Sequence, residues 1–295
     1  MGILNVGKHY FFNCYRSTFL LLNTIMKYTH FAFGALALIA CANATAIGED
    51  VTHATNSRRL TQTGAELGAC FEDDMVLTKE QMEILKNGVH LHNGIIDVTK
   101  RWPNNTVVYQ ISNDYNAEQA QVITNALAEI SSKSCITFRV REGNEHAVVF
   151  TSGKGCSSAV GYTATDSSGE PIPLQKITIA VPGCLHHGTI VHEMLHTLGF
   201  FHMQSTHDRD NYVTIKWENI KDGHKHNFDK FTNDTVTDFG VEYDYGSIMH
   251  YGAYAFSKNG ERTIVPLQED AVIGQTEKMS DRDALKLKRM YGCAE

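Results

Sequence analysis

No apolar run in this chain is long enough to cross a bilayer. The candidate at 31–40, FAFGALALIA, is too short, and Arg16 and Lys27 interrupt the longer apolar stretch around it. Charge of one sign is also scarce. The 33 acidic and 26 basic residues leave a net −7, which argues against a nucleic-acid partner. Internal repeats and low-complexity tracts are absent, which excludes solenoids and tail-like sequences. What remains is the composition of an ordinary soluble protein, 295 residues long, with room for one to two domains and a sizeable core.

The N-terminus reads as a leader rather than as fold. Lys27 precedes the apolar run, and Ala42, Ala44 and Ala46 supply small-residue cleavage sites. The segment from Met26 is a complete signal peptide, so residues 1–25 are an upstream start or an extended leader. An uncleaved membrane anchor is the competing reading, and the two basic residues weigh against it. Residues 47–92 are polar and acidic with little strand pattern, and 77–91 suits a short helix. With seven cysteines and a leader, the expectation is a secreted, extracellular protein.

Chemistry concentrates at 189–212, TIVHEMLHTLGFFHMQSTHDRDNY. On a helix His192 and His196 stand i, i+4, so both imidazoles share one face and can share one metal ion. Glu193 then reaches a water at that metal. Gly199 permits a left-handed residue that ends the helix and returns the chain, delivering His202 as a third nitrogen. Three His with a fourth position for water is the layout of a catalytic zinc site. The bland alternative, a helix with two surface histidines and a Gly cap, leaves the fixed spacing of five residues unexplained. His186, His187, His224 and His226 lie off this register and read as surface residues.

HEMLHTLGFFH resembles the metzincin signature, and Asp208-Arg209-Asp210-Asn211-Tyr212 resembles the astacin family in particular. The run from Tyr243 to Tyr251, YDYGSIMHY, is similar to that family's Met-turn. The resemblance covers roughly Asn93 to the C-terminus. It implies an α/β zincin-like fold, with a twisted, mostly parallel sheet and long helices above a cleft and an irregular half below. It implies one zinc ion per chain, held by His192, His196 and His202, with Met249 as the floor beneath it. Tyr251 would be a fifth ligand that swings away to stabilise the tetrahedral intermediate. Phe71-Glu72-Asp73-Asp74-Met75 is similar to the family's pro-segment motif, in which an aspartate ligates the zinc; by that match Asp74 is the latch. The motif usually has Gly where this chain has Asp73. Cys70 is a rival latch, since a thiolate also binds zinc, but nothing around it resembles a cysteine switch.

This divides the chain into a leader at 1–46, a propeptide at 47–92 and a catalytic domain at 93–295. Asn93-Gly94-Ile95 and Arg101-Trp102-Pro103-Asn104 resemble the start of astacin catalytic domains, and Lys86-Asn87 offers a second cut. Met203 stands where the family commonly has a Glu that contacts the new N-terminal amine, and Thr206 where many members carry Arg. Cys14 and Cys41 leave with the leader, and Cys70 with the pro-segment. Four cysteines remain, with three possible pairings. The resemblance selects Cys156–Cys184 and Cys135–Cys293. Since the chain stops just past Cys293, no accessory domain is expected to follow. Asn104 and Asn233 are candidate glycosylation sites.

Strands are expected at 106–111, 135–140, 147–151 and 176–181, and helices at 117–131, 217–231 and 281–290 besides the metal helix. The expected function is a secreted zinc metalloendopeptidase acting on protein or peptide substrates. Its partners would be its own propeptide as inhibitor and an activating protease. Glu193 would serve as general base and Tyr251 as oxyanion donor. Two other readings remain: a secreted zinc-bound module that binds a partner without cleaving it, and a different zincin with a narrow peptide substrate.

Overall fold

The computed structural model describes residues 71–86, 93–166, 168–230 and 237–294. The leader, Cys14, Cys41, Cys70, the alternative cut at Asn87 and the sequon at Asn233 lie outside them. Among the described residues no helix is long and apolar enough to cross a membrane.

Six strands form one sheet in the order β1-β5-β6-β4-β2-β3. They are β1 (Met75–Val76), β2 (Thr106–Ile111), β3 (Thr137–Val140), β4 (Ala147–Thr151), β5 (Cys156–Ala159) and β6 (Leu174–Ile179). All neighbours run parallel except β5 and β6. The sequence of β4, AVVFT, is apolar without alternation because the strand is central: Ala147, Val148, Val149 and Phe150 are all buried.

Helix α1 (Lys79–Lys86) follows β1. Helix α2 (Ala117–Lys133) starts at a capping box of Asn116 and Gln119 and buries Ile123, Ala126, Leu127 and Ile130. That stripe packs on the sheet together with the metal-signature helix α3 (His187–Thr197), in one core with Val148, Phe150 and Ile177. Helix α4 (Asp281–Tyr291) begins at a second capping box, Ser280 with Asp283, and ends at Gly292 in the left-handed region, φ 63°. Two disulfides tie these parts together. Cys156–Cys184 joins β5 to the chain entering α3, and Cys135–Cys293 joins the start of β3 to the end of α4.

Below α3 the chain is irregular around its own core of Met203, Val213, Ile215, Ile220, Phe228, Tyr243 and Ile264. It contains an antiparallel pair of short strands, β7 (Val213–Ile215) and β8 (Ile264–Pro266). The helix expected at 217–231 is not there. Two short 3-10 turns, Trp217–Asn219 and Lys225–Phe228, flank Gly223 at φ 81°, and the left-handed glycine breaks the run. The strand expected at 176–181 lies earlier, at Leu174–Ile179. The one expected at 135–140 begins only at Thr137, because Cys135 is drawn toward Cys293.

Candidate metal centre and active site

Helix α3 is pressed against the lower half at its first turn. A Cβ on Gly188 would lie 1.9 Å from the Thr276 carbonyl oxygen, so only glycine lets the helix enter there. At the other end Gly199 has φ 102°, and its N–H donates to the His196 carbonyl at 2.8 Å. The chain reverses and returns His202 beneath the helix.

Three imidazole nitrogens converge. His192 Nε2 lies 3.1 Å from His196 Nε2 and 3.3 Å from His202 Nε2. Asp74 joins them from the segment before β1, with Oδ2 at 3.2 Å from His192 and 3.3 Å from His202, and Oδ1 at 3.6 Å from His196. One ligand atom from each of the four lies within 4.8 Å of all the others.

The far side of each ring explains why the Nε2 atoms point inward. His192 Nδ1–H donates to the Ile248 carbonyl at 2.8 Å, and His196 Nδ1–H to the Phe200 carbonyl at 2.8 Å. His202 Nδ1 is 2.6 Å from Glu72 Oε2. A carbonyl can only accept, so the Nδ1 atoms of His192 and His196 carry the protons and their Nε2 lone pairs face the centre. Lone pairs packed against one another and against a carboxylate need a cation between them. Asp74 Oδ1, buried with no hydrogen-bond partner, needs one as well. Burial raises the Asp74 carboxyl, but His202, His192 and His196 outweigh it and hold its pKa well below the usual range. Burial lowers His202, yet Asp74 and Glu72 together push it up to about 10. The donor set therefore favours positive charge at its centre and fits one zinc ion.

Glu193 is 1 % exposed, and its Oε2 has no hydrogen-bond partner. Burial first, and then the Asp74 charge, raise its pKa well above the ordinary carboxylate value. Met249 is wholly buried, and its carbonyl accepts from the Met203 N–H at 2.9 Å. The turn that carries it hangs from α4, where Asp283 accepts from Ser247 Oγ at 2.6 Å and from the Ile248 N–H at 3.0 Å. Tyr251 packs its ring 4.6 Å from that of His202, but its hydroxyl donates to the Glu72 carbonyl.

Glu72 escaped the sequence reading. It is fully buried, accepts from Ser205 Oγ at 2.7 Å, and touches both His202 and Tyr251. No periodicity marked it: Glu72 and Asp73 are both left-handed, and the turn they form carries the Glu72 and Asp74 side chains into the site together. Asp283 and Lys286, both buried on α4, were also missed, because a charged residue in an amphipathic helix reads as surface. His186 and His226 are exposed, His187 pairs with Glu129 on α2, and His224 lies against the Phe256 ring; none of them enters the cluster. Asn104 is exposed.

Residues 94–292 match the family model of the astacin peptidases. The chain is 36 % identical over 230 residues to the zinc metalloproteinase nas-4 of Caenorhabditis elegans, covering 77 % of this chain and 70 % of the relative. It is 42 % identical over 200 residues to the low choriolytic enzyme of Oryzias latipes, covering 65 % and 69 %. Among solved structures it is similar to high choriolytic enzyme 1, a hatching-enzyme zinc protease of the same fish. That match has TM-score 0.59 and 34 % identity, over 66 % of this chain and 94 % of the other. The matched region contains the three converging histidines, Glu193 and the turn beneath them, and the mixed α/β fold is the zincin-like one. The chain thus belongs to the astacin family of peptidases and is a zinc metalloproteinase.

Proposed function

We propose that this chain is a secreted astacin zymogen whose catalytic domain, 93–295, cleaves peptide bonds in proteins. In this reading His192, His196 and His202 hold the zinc and Glu193 is the general base. The observation that carries the reading is the pairing of three inward Nε2 atoms with a buried, unpartnered carboxylate beside them.

Bound zinc supplies Lewis acidity to the scissile carbonyl and to the attacking water. Glu193 accepts the water's proton as its oxygen attacks the carbonyl carbon. It passes that proton to the amine nitrogen as the C–N bond breaks. Its burial suits the task, since a carboxylate removed from water is a stronger base than an exposed one. Tyr251, once free of Glu72, donates its phenolic hydrogen to the developing oxyanion. Met249 packs beneath the ligands as an apolar floor.

The segment 47–92 is the propeptide in this reading, and it blocks the site at two points. Asp74 occupies the position a water would take, and the Glu72 carbonyl holds the Tyr251 hydroxyl away. An activating protease removes both by a cut before Asn93. The leader at 1–46 directs secretion, and Asn104 is available for a glycan.

The test is gelatin cleavage by the activated protein, with zinc, with a chelator, and beside Glu193→Ala. Cleavage abolished by the chelator and reduced by at least about a thousandfold in the variant, which keeps its zinc, is expected. An active Glu193→Ala protein would overturn the assignment. Zinc-loaded protein that cleaves nothing would favour the non-catalytic binding module.

A further inference from the structure

Lys286, on α4, is buried to 2 % exposure. Among the described residues no carboxylate is in ion-pair contact with its ammonium; Asp283, Asp244, Asp238 and Asp208 act on it only through space. A buried cation without a paired anion is costly, and an apolar side chain of the same length would fill the space at no such cost. Among the described residues the ammonium donates two hydrogen bonds. Nζ donates to Asn93 Oδ1 at 2.6 Å and lies 3.7 Å from Met203 Sδ.

Both contacts lead to the backbone on either side of His202. On the N-terminal side, Asn93 clamps Phe201. Its Nδ2 donates to the Phe201 carbonyl, and its own carbonyl accepts from the Phe201 N–H at 2.8 Å. On the C-terminal side is Met203 itself, whose N–H is fixed by the Met249 carbonyl. Met203, directly, and Phe201, through Asn93, are thus tied to one nitrogen atom, with His202 between them. Three residues earlier on the same helix, Asp283 does the corresponding work for His192. It holds the Ile248 N–H, and the Ile248 carbonyl receives His192 Nδ1–H. Positions i and i+3 share a helix face, so one turn of α4 reaches the surroundings of two of the three converging imidazoles.

We propose that Lys286 is a positioning residue for the metal site: through Asn93 and Met203 its buried ammonium fixes the chain on both sides of His202 and aims that ring at the metal. Ligand geometry must be held to about 0.5 Å, and the groups behind the ligands supply that precision. The claim about metal retention stands apart from the catalytic reading. Only its consequence for turnover rests on that reading.

The experiment uses the zinc-loaded full chain, wild type and Lys286→Met, and follows zinc release to a chromophoric chelator. Thermal unfolding of the zinc-free chains is measured alongside. Release about tenfold faster in the variant is expected, following the usual effect of removing a group behind a ligand, with little change in the unfolding of the metal-free chain. After activation kcat falls and KM does not. Release at the wild-type rate overturns the proposal, whether or not the variant unfolds earlier. Should Lys286→Met fail to fold, Asn93→Ser breaks the same link from its other end and decides alone; unchanged release in it is equally fatal. Faster release in proteins that cleave no gelatin, wild type included, would sink the catalytic reading and leave this proposal standing.

Discussion

Asp73 has φ 80° and Glu72 φ 49°, both in the left-handed region. For a residue with a Cβ that conformation costs on the order of 1 kcal/mol, so the backbone explains why the related motif prefers glycine at the position of Asp73. The turn is nevertheless made, because Glu72 and Asp74 on either side are anchored to His202, Ser205 and the imidazole cluster. Asp73→Gly is therefore expected to tighten the latch by about 0.5–1 kcal/mol, lowering any residual gelatin cleavage by the uncut full chain. Asp74→Ala should raise that cleavage. Equal activity in the two variants would mean that the latch lies elsewhere. The residues that converge were legible in the sequence because their spacing is local: His192, His196 and His202 lie within one turn-and-return of chain, with Glu193 beside the first. The residues that hold them were not. Glu72 stands 130 positions from His202, and Lys286 stands 193 from Asn93. No periodicity records separations of that size.

The same division holds among the elements. Helices α2 and α4 form where they were expected, each with an apolar face and a capping box at its start. The 217–231 run shows apolar spacing of the same kind, yet its Ile220 and Phe228 fill the lower core from two separate turns, so the period was real and the helix was not. Strand β5 was missed because Cys-Ser-Ser-Ala has little strand character; the sheet on one side and the Cys156–Cys184 bond place it. Those cysteines are 28 positions apart. Replacing both by serine should cost about 3 kcal/mol through loop closure, read as a lower urea midpoint. An unchanged midpoint would mean that the sheet alone holds the entry to α3.

Across the whole molecule the metal position is where separate parts meet. The 71–76 segment, helix α3, the return to His202 and the turn carried by α4 contact it or stand directly behind it. Metal binding is then folding free energy, worth about 4 kcal/mol when free zinc is a thousand times Kd. Stripping zinc from the full chain should lower Tm by roughly 10 °C and render residues 71–86 sensitive to limited proteolysis. Calorimetry with and without chelator checks this, and coincident transitions would refute it.

The pairing of β1 with β5 has a further consequence. Ser158 N–H donates to the Asp74 carbonyl at 2.9 Å, and Met75 and Val76 cover the outer side of β5. In the activation proposed above that short strand leaves with the propeptide, and β5 would become an open rim of the sheet, with unpaired amides and carbonyls. Such a rim adheres to any extended chain that reaches it, another copy of the enzyme included. The freshly activated protein would then be most prone to self-association when no substrate is present, and a peptide laid along the rim would keep it in solution.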